Sequence, residues 1–410
     1  MARVARENSR TKRNSGAEKT KKRKKEPNFK KPNLDKNGLI SDAIKMVEGM
    51  DLVVLGTVLV LAIFGILMVF SAGYYTTVNV SSDALYYLKK QGFWVLTGFA
   101  WLFIFANFDY HRFNKYANSL MVLSIVLLVL VLLVGQNVNG ATRWLGFGSF
   151  RITPSELSKL FMIIFTSAYL ARDPDNIKTA RGLGVLGAVM IIHLGLVIKQ
   201  PNLSTAIVIA AIMVAIMMVA GLHWMWFVFL GGAAVGGTFI ILNYFQDSHW
   251  YSRLTNWIDP FADAQGEGYQ VSQSIIALGN GGLKGLGFGN SISKNLYLPE
   301  PQNDFILAVI GEEFGYIGFV VLMAIYMFLL YRLIMIALKA KDRLGFYLAT
   351  GVAVMLGLQV IINVAVVTAS MPATGITLPF ISYGGTSMWA FMVAMGIALN
   401  VSKRGKKVRR

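Results

Sequence analysis

Ten predominantly apolar stretches run through the chain, most of them near the 17–25 residues that cross a bilayer as a helix. They lie at about 52–72, 92–108, 119–135, 154–171, 183–198, 205–220, 224–243, 305–331, 346–370 and 388–402. A soluble chain of 410 residues cannot cover that much apolar surface with 15% charged residues, where a soluble domain carries about 25%. The expected fold class is an all-α polytopic membrane protein with ten transmembrane helices. Only Lys199-Gln200-Pro201-Asn202 separates the fifth and sixth stretches, so one long kinked hairpin is the alternative there.

The net charge of +18 invites a nucleic-acid reading until it is partitioned. Residues 1–50 hold 15 basic and 6 acidic side chains, and residues 403–410 hold 6 basic and none acidic. The two tails thus carry +15, and the 352 residues at 51–402 are nearly neutral. The chain divides into a basic, largely disordered tail (1–50), a membrane domain (51–402) and a short basic tail (403–410). Lys19-Thr20-Lys21-Lys22-Arg23-Lys24-Lys25 cannot bury a core. It serves as a topology signal or attracts anionic lipid, at about 1 kcal/mol per basic residue near the surface. No aromatic residue is interleaved with these charges, which disfavours nucleic acid. The basic region is too long for a cleavable signal peptide.

Placing both termini in the cytoplasm puts 30 of the 39 basic residues inside, as the Lys/Arg bias of short loops requires. The substantial outer loops are then 136–153, 244–304 and 371–387. The largest, 244–304 between the seventh and eighth helices, is rich in Gly, Asp, Trp and Tyr and too polar to span. No tandem repeat is visible. With no cysteine, disulfides and thiolate metal sites are excluded, and the redox compartment stays undetermined. His111, His193, His223 and His249 are scattered without ligand spacing, so a histidine metal site is not expected.

In a membrane protein the informative residues are polar groups that are costly to desolvate. Gly140-Ala141-Thr142-Arg143-Trp144 precedes Thr153-Pro154-Ser155-Glu156-Leu157-Ser158-Lys159. Thr153, Pro154 and Glu156 read as a capping box for the fourth helix. Lys159, i,i+3 from Glu156, either pairs with it structurally or offers a phosphate a cation. In the large loop stand Tyr251-Ser252-Arg253 and Gly279-Asn280-Gly281-Gly282-Leu283-Lys284-Gly285. Those glycines lack the Gly-Lys-Ser/Thr ending and the preceding strand of a nucleotide loop, but let backbone approach a bulky substrate.

Leu298-Pro299-Glu300-Pro301-Gln302-Asn303-Asp304-Phe305 leads into the eighth helix and Gly311-Glu312-Glu313. Asp304 reads as an N-cap or, near Glu300 at a membrane mouth, as a general base whose pKa partial desolvation raises. At least one of Glu312 and Glu313 is expected to face the bundle and pair with a cation such as Lys159 or an arginine. Gln359 and Asn363 share a helix face at i,i+4, suited to interhelical hydrogen bonding. Pro372–Gly375 and Leu378–Ser387 read as a re-entrant or hinged segment, allowed at membrane depth only if protein-buried or water-lined.

Taken in this order, the motifs resemble the SEDS family (shape, elongation, division and sporulation), the polytopic peptidoglycan polymerases that include FtsW, RodA and SpoVE. The resemblance covers about Asp51 to Val401 and rests on Gly140–Trp144, Pro154-Ser155-Glu156 with Lys159, and Gln200-Pro201-Asn202-Leu203. It continues through Tyr251–Arg253, Gly281-Gly282, Leu298–Glu313 and Leu378–Thr386. It implies ten spanning helices and a glycosyltransferase acting on lipid II at the outer face of the bacterial cytoplasmic membrane. It further implies a class B penicillin-binding transpeptidase partner and other divisome proteins at the septum.

By the same resemblance Asp304 is the catalytic residue, Lys159 is the family's lysine, and Arg143 and Glu156 match family positions. Thr153, Pro301-Gln302-Asn303 and Asn202-Leu203-Ser204-Thr205 depart from the common pattern without removing a proposed catalytic group. Gln359, three residues before Ile362-Asn363, places the chain nearer the division and sporulation branch than the RodA branch.

The chemistry that follows has Asp304 deprotonating the acceptor 4-hydroxyl as it attacks C1 of the donor, with inversion. Arg143, Lys159 and Arg253 are candidates to hold the leaving pyrophosphate, and Glu300 to bind substrate; a divalent cation (Mg or Mn) near Asp304 would share that load. A lipid II flippase or another transporter is the alternative. Against it stand the absence of an inverted repeat of broken helices and the gathering of polar groups at the outer mouth. A scaffold that recruits a transpeptidase is compatible with the enzyme.

Overall fold

The computed structural model describes residues 47–80, 83–138, 141–147, 150–226, 257–262, 268–295 and 297–406, with single residues 232, 236 and 266. Its helices are α1 (Leu52–Val80), α2 (Tyr86–Asn107), α3 (Arg112–Val134), α4 (Pro154–Arg172), α5 (Ala180–Ile198) and α6 (Leu203–Val219). They continue as α7 (Tyr269–Gly281), α8 (Ile306–Leu338), α9 (Arg343–Val367) and α10 (Gly385–Lys406). Among the described residues six helices are long and apolar enough to cross a membrane, and α6 is a shorter apolar one. Nine of the ten expected spans fall on helices. The seventh, 224–243, lies almost wholly outside the described residues, as do Arg253 and both tail ends at 1–46 and 407–410.

The break at Lys199–Asn202 resolves the hairpin alternative: α5 and α6 are separate helices. The Asn202 side chain accepts from the Thr205 N–H at 3.3 Å and thereby caps α6. Several helices outrun their apolar stretches, α1 by eight residues to Val80. Hydropathy reports the solvent around a segment, whereas backbone hydrogen bonds continue beyond the hydrocarbon.

Residues 136–152, expected as loop, form an antiparallel three-stranded sheet in the order β1 (Gln136–Val138), β2 (Ala141–Phe147), β3 (Phe150–Ile152). Pairs such as Gln136↔Trp144 and Leu145↔Ile152 fix its register. The large loop also contains structure, helix α7, which packs along α8.

α10 packs along α2, and α9 against α4, α6 and α8. α10 is the most buried of the candidate spans, whereas α3 turns Val122, Val126 and Leu133 outwards. Across the bundle Ser124 Oγ donates to Ser158 Oγ at 2.9 Å, and the His193 ring lies 3.1 Å from Ser124 Oγ. These contacts tie α3, α4 and α5 together at buried positions where an unpaired hydroxyl would be costly. Of the two segments read as re-entrant or hinged, Pro372–Gly375 is non-helical, Leu378–Gly384 is non-helical and mostly protein-buried, and Gly385–Ser387 belong to α10. Ile376, Leu378, Phe380 and Ile381 are core residues, the Leu378 N–H donates to Ser382 Oγ at 2.7 Å, and Tyr326 OH caps the Pro379 carbonyl.

Candidate active site

Asp304 lies in the turns that precede α8. It is not the helix N-cap expected from its position: Phe305 is, and no side chain caps that terminus. What holds Asp304 is the amide of Asn363 on α9, whose Nδ2 donates to the Asp304 carbonyl at 2.8 Å and to the Ile376 carbonyl at 2.7 Å. The interhelical bond expected of Asn363 is thus a bond from helix to two loop backbones. Gln359, one turn deeper, is buried, and its Oε1 accepts no hydrogen bond among the described residues.

Arg143 reaches the same place from β2. Its Nε donates to the Gln200 carbonyl at 3.1 Å, and its Nη2 to the Pro201 carbonyl. The break between α5 and α6 supplies both acceptors, since carbonyls at a helix end have no intrahelical partner. Between carboxylate and guanidinium sits Gly375. A Cβ there would lie 3.7 Å from Asp304 Oδ2 and 3.9 Å from Arg143 Nη1. Gly375 has φ +68°, a conformation that an L side chain adopts only at a cost.

Lys159 is fully buried, and its Nζ donates to both Glu156 carboxylate oxygens at 2.8 Å. The capping box is therefore not formed. Thr153 is the N-cap without a side-chain bond, and the Glu156 carboxylate turns to Lys159. The Thr153 N–H is satisfied by Thr386 Oγ1 at 3.2 Å, which joins the start of α4 to the start of α10.

Glu300 is exposed and accepts from the Asn303 side chain. Next to it Gln302 Nε2 donates to Tyr87 OH at 3.0 Å, and the Gln302 carbonyl accepts from the Tyr383 N–H at 2.9 Å. Burial, then the neighbouring Tyr86 and Tyr87, push the Tyr383 hydroxyl up to about 12, so it stays neutral at physiological pH.

Glu312 and Glu313 both face inwards, but among the described residues neither meets Lys159 or an arginine. Glu313 Oε1 accepts from Lys294 Nζ at 2.8 Å and Ser71 Oγ at 2.6 Å. Glu312 accepts from Ser291, from the Ser293 N–H and hydroxyl at 3.1 Å, and from Asn280 at 3.2 Å. The loop itself supplies the cation, from a Ser291-Ile292-Ser293-Lys294 stretch whose alternation of polar residues was the available signal.

A helical membrane bundle that brings a carboxylate and an anchored arginine together over one glycine is a polytopic membrane protein with a polar site. Over residues 51–407 the chain matches the model of the FtsW/RodA/SpoVE family of cell cycle proteins, and it belongs to that family. It is 39% identical over 360 residues to stage V sporulation protein E of Bacillus subtilis, covering 86% of this chain and 97% of that one. It is 35% identical over 364 residues to a probable peptidoglycan glycosyltransferase FtsW of a Geobacter species, covering 88% and 99%.

Among solved structures it resembles a chain of a peptidoglycan synthase complex described as coordinating polymerization and crosslinking. That match has TM-score 0.71 and 25% identity over 87% of this chain and 98% of that one. RodA of Thermus thermophilus matches with TM-score 0.61 and 28% identity over 86% and 96%. The fold is the SEDS fold, and the chain sits with the FtsW and SpoVE branch.

Proposed function

We propose that this protein is a peptidoglycan glycosyltransferase that polymerises glycan strands from lipid II during cell division. Its family and its relatives' names support that reading. The observation that carries it to particular residues is the convergence of Asp304 and Arg143 on Gly375, with the Asp304 backbone clamped by Asn363. In this reading Asp304 accepts the proton of the acceptor GlcNAc 4-hydroxyl as that oxygen bonds to C1 of the donor MurNAc. The bond from C1 to undecaprenyl pyrophosphate breaks, and the anomeric centre inverts from α to β. Arg143 stabilises charge on the departing pyrophosphate. The Glu156–Lys159 pair sets the local field, Arg253 adds a second cation, and Glu300 takes a sugar hydroxyl.

Among the described residues no group of three carboxylate or imidazole ligands occurs. A magnesium or manganese ion would therefore be held by the Asp304 carboxylate together with the substrate pyrophosphate rather than by a protein cage. No step proposed here runs through a metal.

The same reading sets the Asp304 face outside the cell and both basic tails in the cytoplasm against anionic lipid. It makes a class B penicillin-binding transpeptidase the partner, with other divisome proteins at the septum. Reconstitution with lipid II and that partner tests it. Asp304→Ala is expected to abolish polymer while leaving thermal unfolding of the purified protein unchanged; polymer formed by the variant at the wild-type rate would overturn the assignment.

A further inference from the structure

α1 and α8 are clamped together at two depths. At one end Arg332 pairs with Asp51, and at the other Ser71 and Lys294 meet Glu313. Twenty residues separate Asp51 from Ser71 on one helix, and nineteen separate Glu313 from Arg332 on the other. At 1.5 Å per residue the unbroken α1 interval is about 30 Å, the thickness of a bilayer's hydrocarbon core. No charged residue lies inside either interval. The Glu313 clamp therefore marks the membrane boundary on the Asp304 side.

The loop that follows α7 is hydrogen-bonded to α8 at and below that boundary. The Leu286 and Gly287 N–H groups donate to the Glu312 and Glu313 carbonyls at 3.0 and 2.9 Å. The Gly282 and Leu283 carbonyls accept from the Tyr316 and Ile317 N–H groups at 2.9 and 3.1 Å. These bonds are open to the loop because α8 leaves helical geometry at Gly315, with φ 67° and ψ −168°. Non-helical backbone at membrane depth must find such partners.

The loop's apolar side chains face outwards and several of its polar ones inwards. Lys284 and Asn290 are also exposed, the lysine able to carry its ammonium back to the headgroups on its long stem. Ser291, Ser293 and Lys294 are 1–5% exposed, while Leu283, Phe288 and Ile292 are 71%, 50% and 53% exposed. Beside them Tyr316 and Ile317 of α8 are 62% and 56% exposed. In water this would be an unfavourable exposed apolar patch; in lipid it is the expected polarity.

We infer that residues 282–292 form a wedge inserted among the acyl chains of the leaflet on the Asp304 side, held there by the Glu312 and Glu313 clamps. The occupant of its outer face is lipid, independently of the catalytic reading above. The position on α8 argues for this, since Leu283 is bonded to Ile317, four residues further along the span than Glu313 and past the break at Gly315.

The chain has no cysteine, so single nitroxide labels are unambiguous. Labels at Leu283→Cys, Phe288→Cys and Ile292→Cys, in the full chain without any partner, are read in vesicles of phosphatidylethanolamine and phosphatidylglycerol. The controls are Val60→Cys on the exposed face of α1 and Asp175→Cys in an exposed polar turn. Collisions with oxygen should exceed those with a water-soluble nickel chelate at Leu283 and Phe288, as at Val60. Nickel-dominated collisions at both, as at Asp175, would overturn the inference and mark the face as a surface open to water or to a protein partner. Should one variant fail to fold, the Ile292 label decides in its place by the same comparison.

Discussion

The side-chain amide of Asn363 holds the main chain of Asp304, 59 residues away in sequence. The same nitrogen holds Ile376. One amide on a spanning helix thus sets both the proposed base and the segment that carries Gly375. Asn363→Ala should lower kcat for lipid II polymerisation by roughly 10²-fold, the scale of a 1 Å misplacement, with KM little changed. Asn363→Asp has no donor when ionised, faces two carbonyl oxygens, and should fare no better. Steady-state kinetics check this, and a change confined to KM would assign Asn363 to substrate binding instead.

Gly375→Ala tests the gap between Asp304 and Arg143. The added methyl would sit under 4 Å from both charged groups, and the positive φ costs about 1–3 kcal/mol for a non-glycine residue. Because Gly375 is exposed, the protein should fold while polymerisation falls at least as far as in the Asn363 variants. Circular dichroism and polymer assays on one preparation separate the two effects.

The Lys294–Glu313 pair is buried on both sides. Lys294→Met leaves a buried carboxylate without its cation, which costs about 3–5 kcal/mol in comparable pairs. Combining it with Glu313→Gln should recover much of that loss. Thermal unfolding in detergent of the two single variants and the double variant measures the coupling, and simple additivity would argue against the clamp.

A pH effect is expected at the opposite end. Burial alone would raise the Asp342 carboxyl, but bonds from Tyr110 OH at 2.6 Å, the Gly345 N–H at 2.7 Å and His111 outweigh it and hold its pKa below the usual value. The folded state therefore binds this proton less readily than the unfolded chain. The stabilisation is present above the ordinary carboxylate pKa of about 3.9 and lost as pH falls through the lower folded value. Asp342→Asn should unfold at lower temperature than wild type at neutral pH, and the gap should close in acid.

The spans were legible because hydrocarbon imposes a run length that few other environments require; Asp304 and Arg143 were singled out by the family resemblance, and the structure brings both near Gly375. The partners of those groups were not legible. Spacing along one helix pairs Glu156 with Lys159, and that reading holds. It says nothing of Ser71 meeting Lys294 across 223 residues, or of main-chain carbonyls serving Arg143. The small sheet at 136–152 also escaped, since its strands are short and lack a clear apolar alternation.

The two clamps between α1 and α8 make bilayer thickness a mechanical variable for this protein. In a thicker membrane, hydrocarbon would reach past Glu313, and tilting of the helix pair or local thinning of the bilayer would relieve the mismatch at fractions of a kcal/mol per Å. Either response would act on α8, which begins two residues after Asp304.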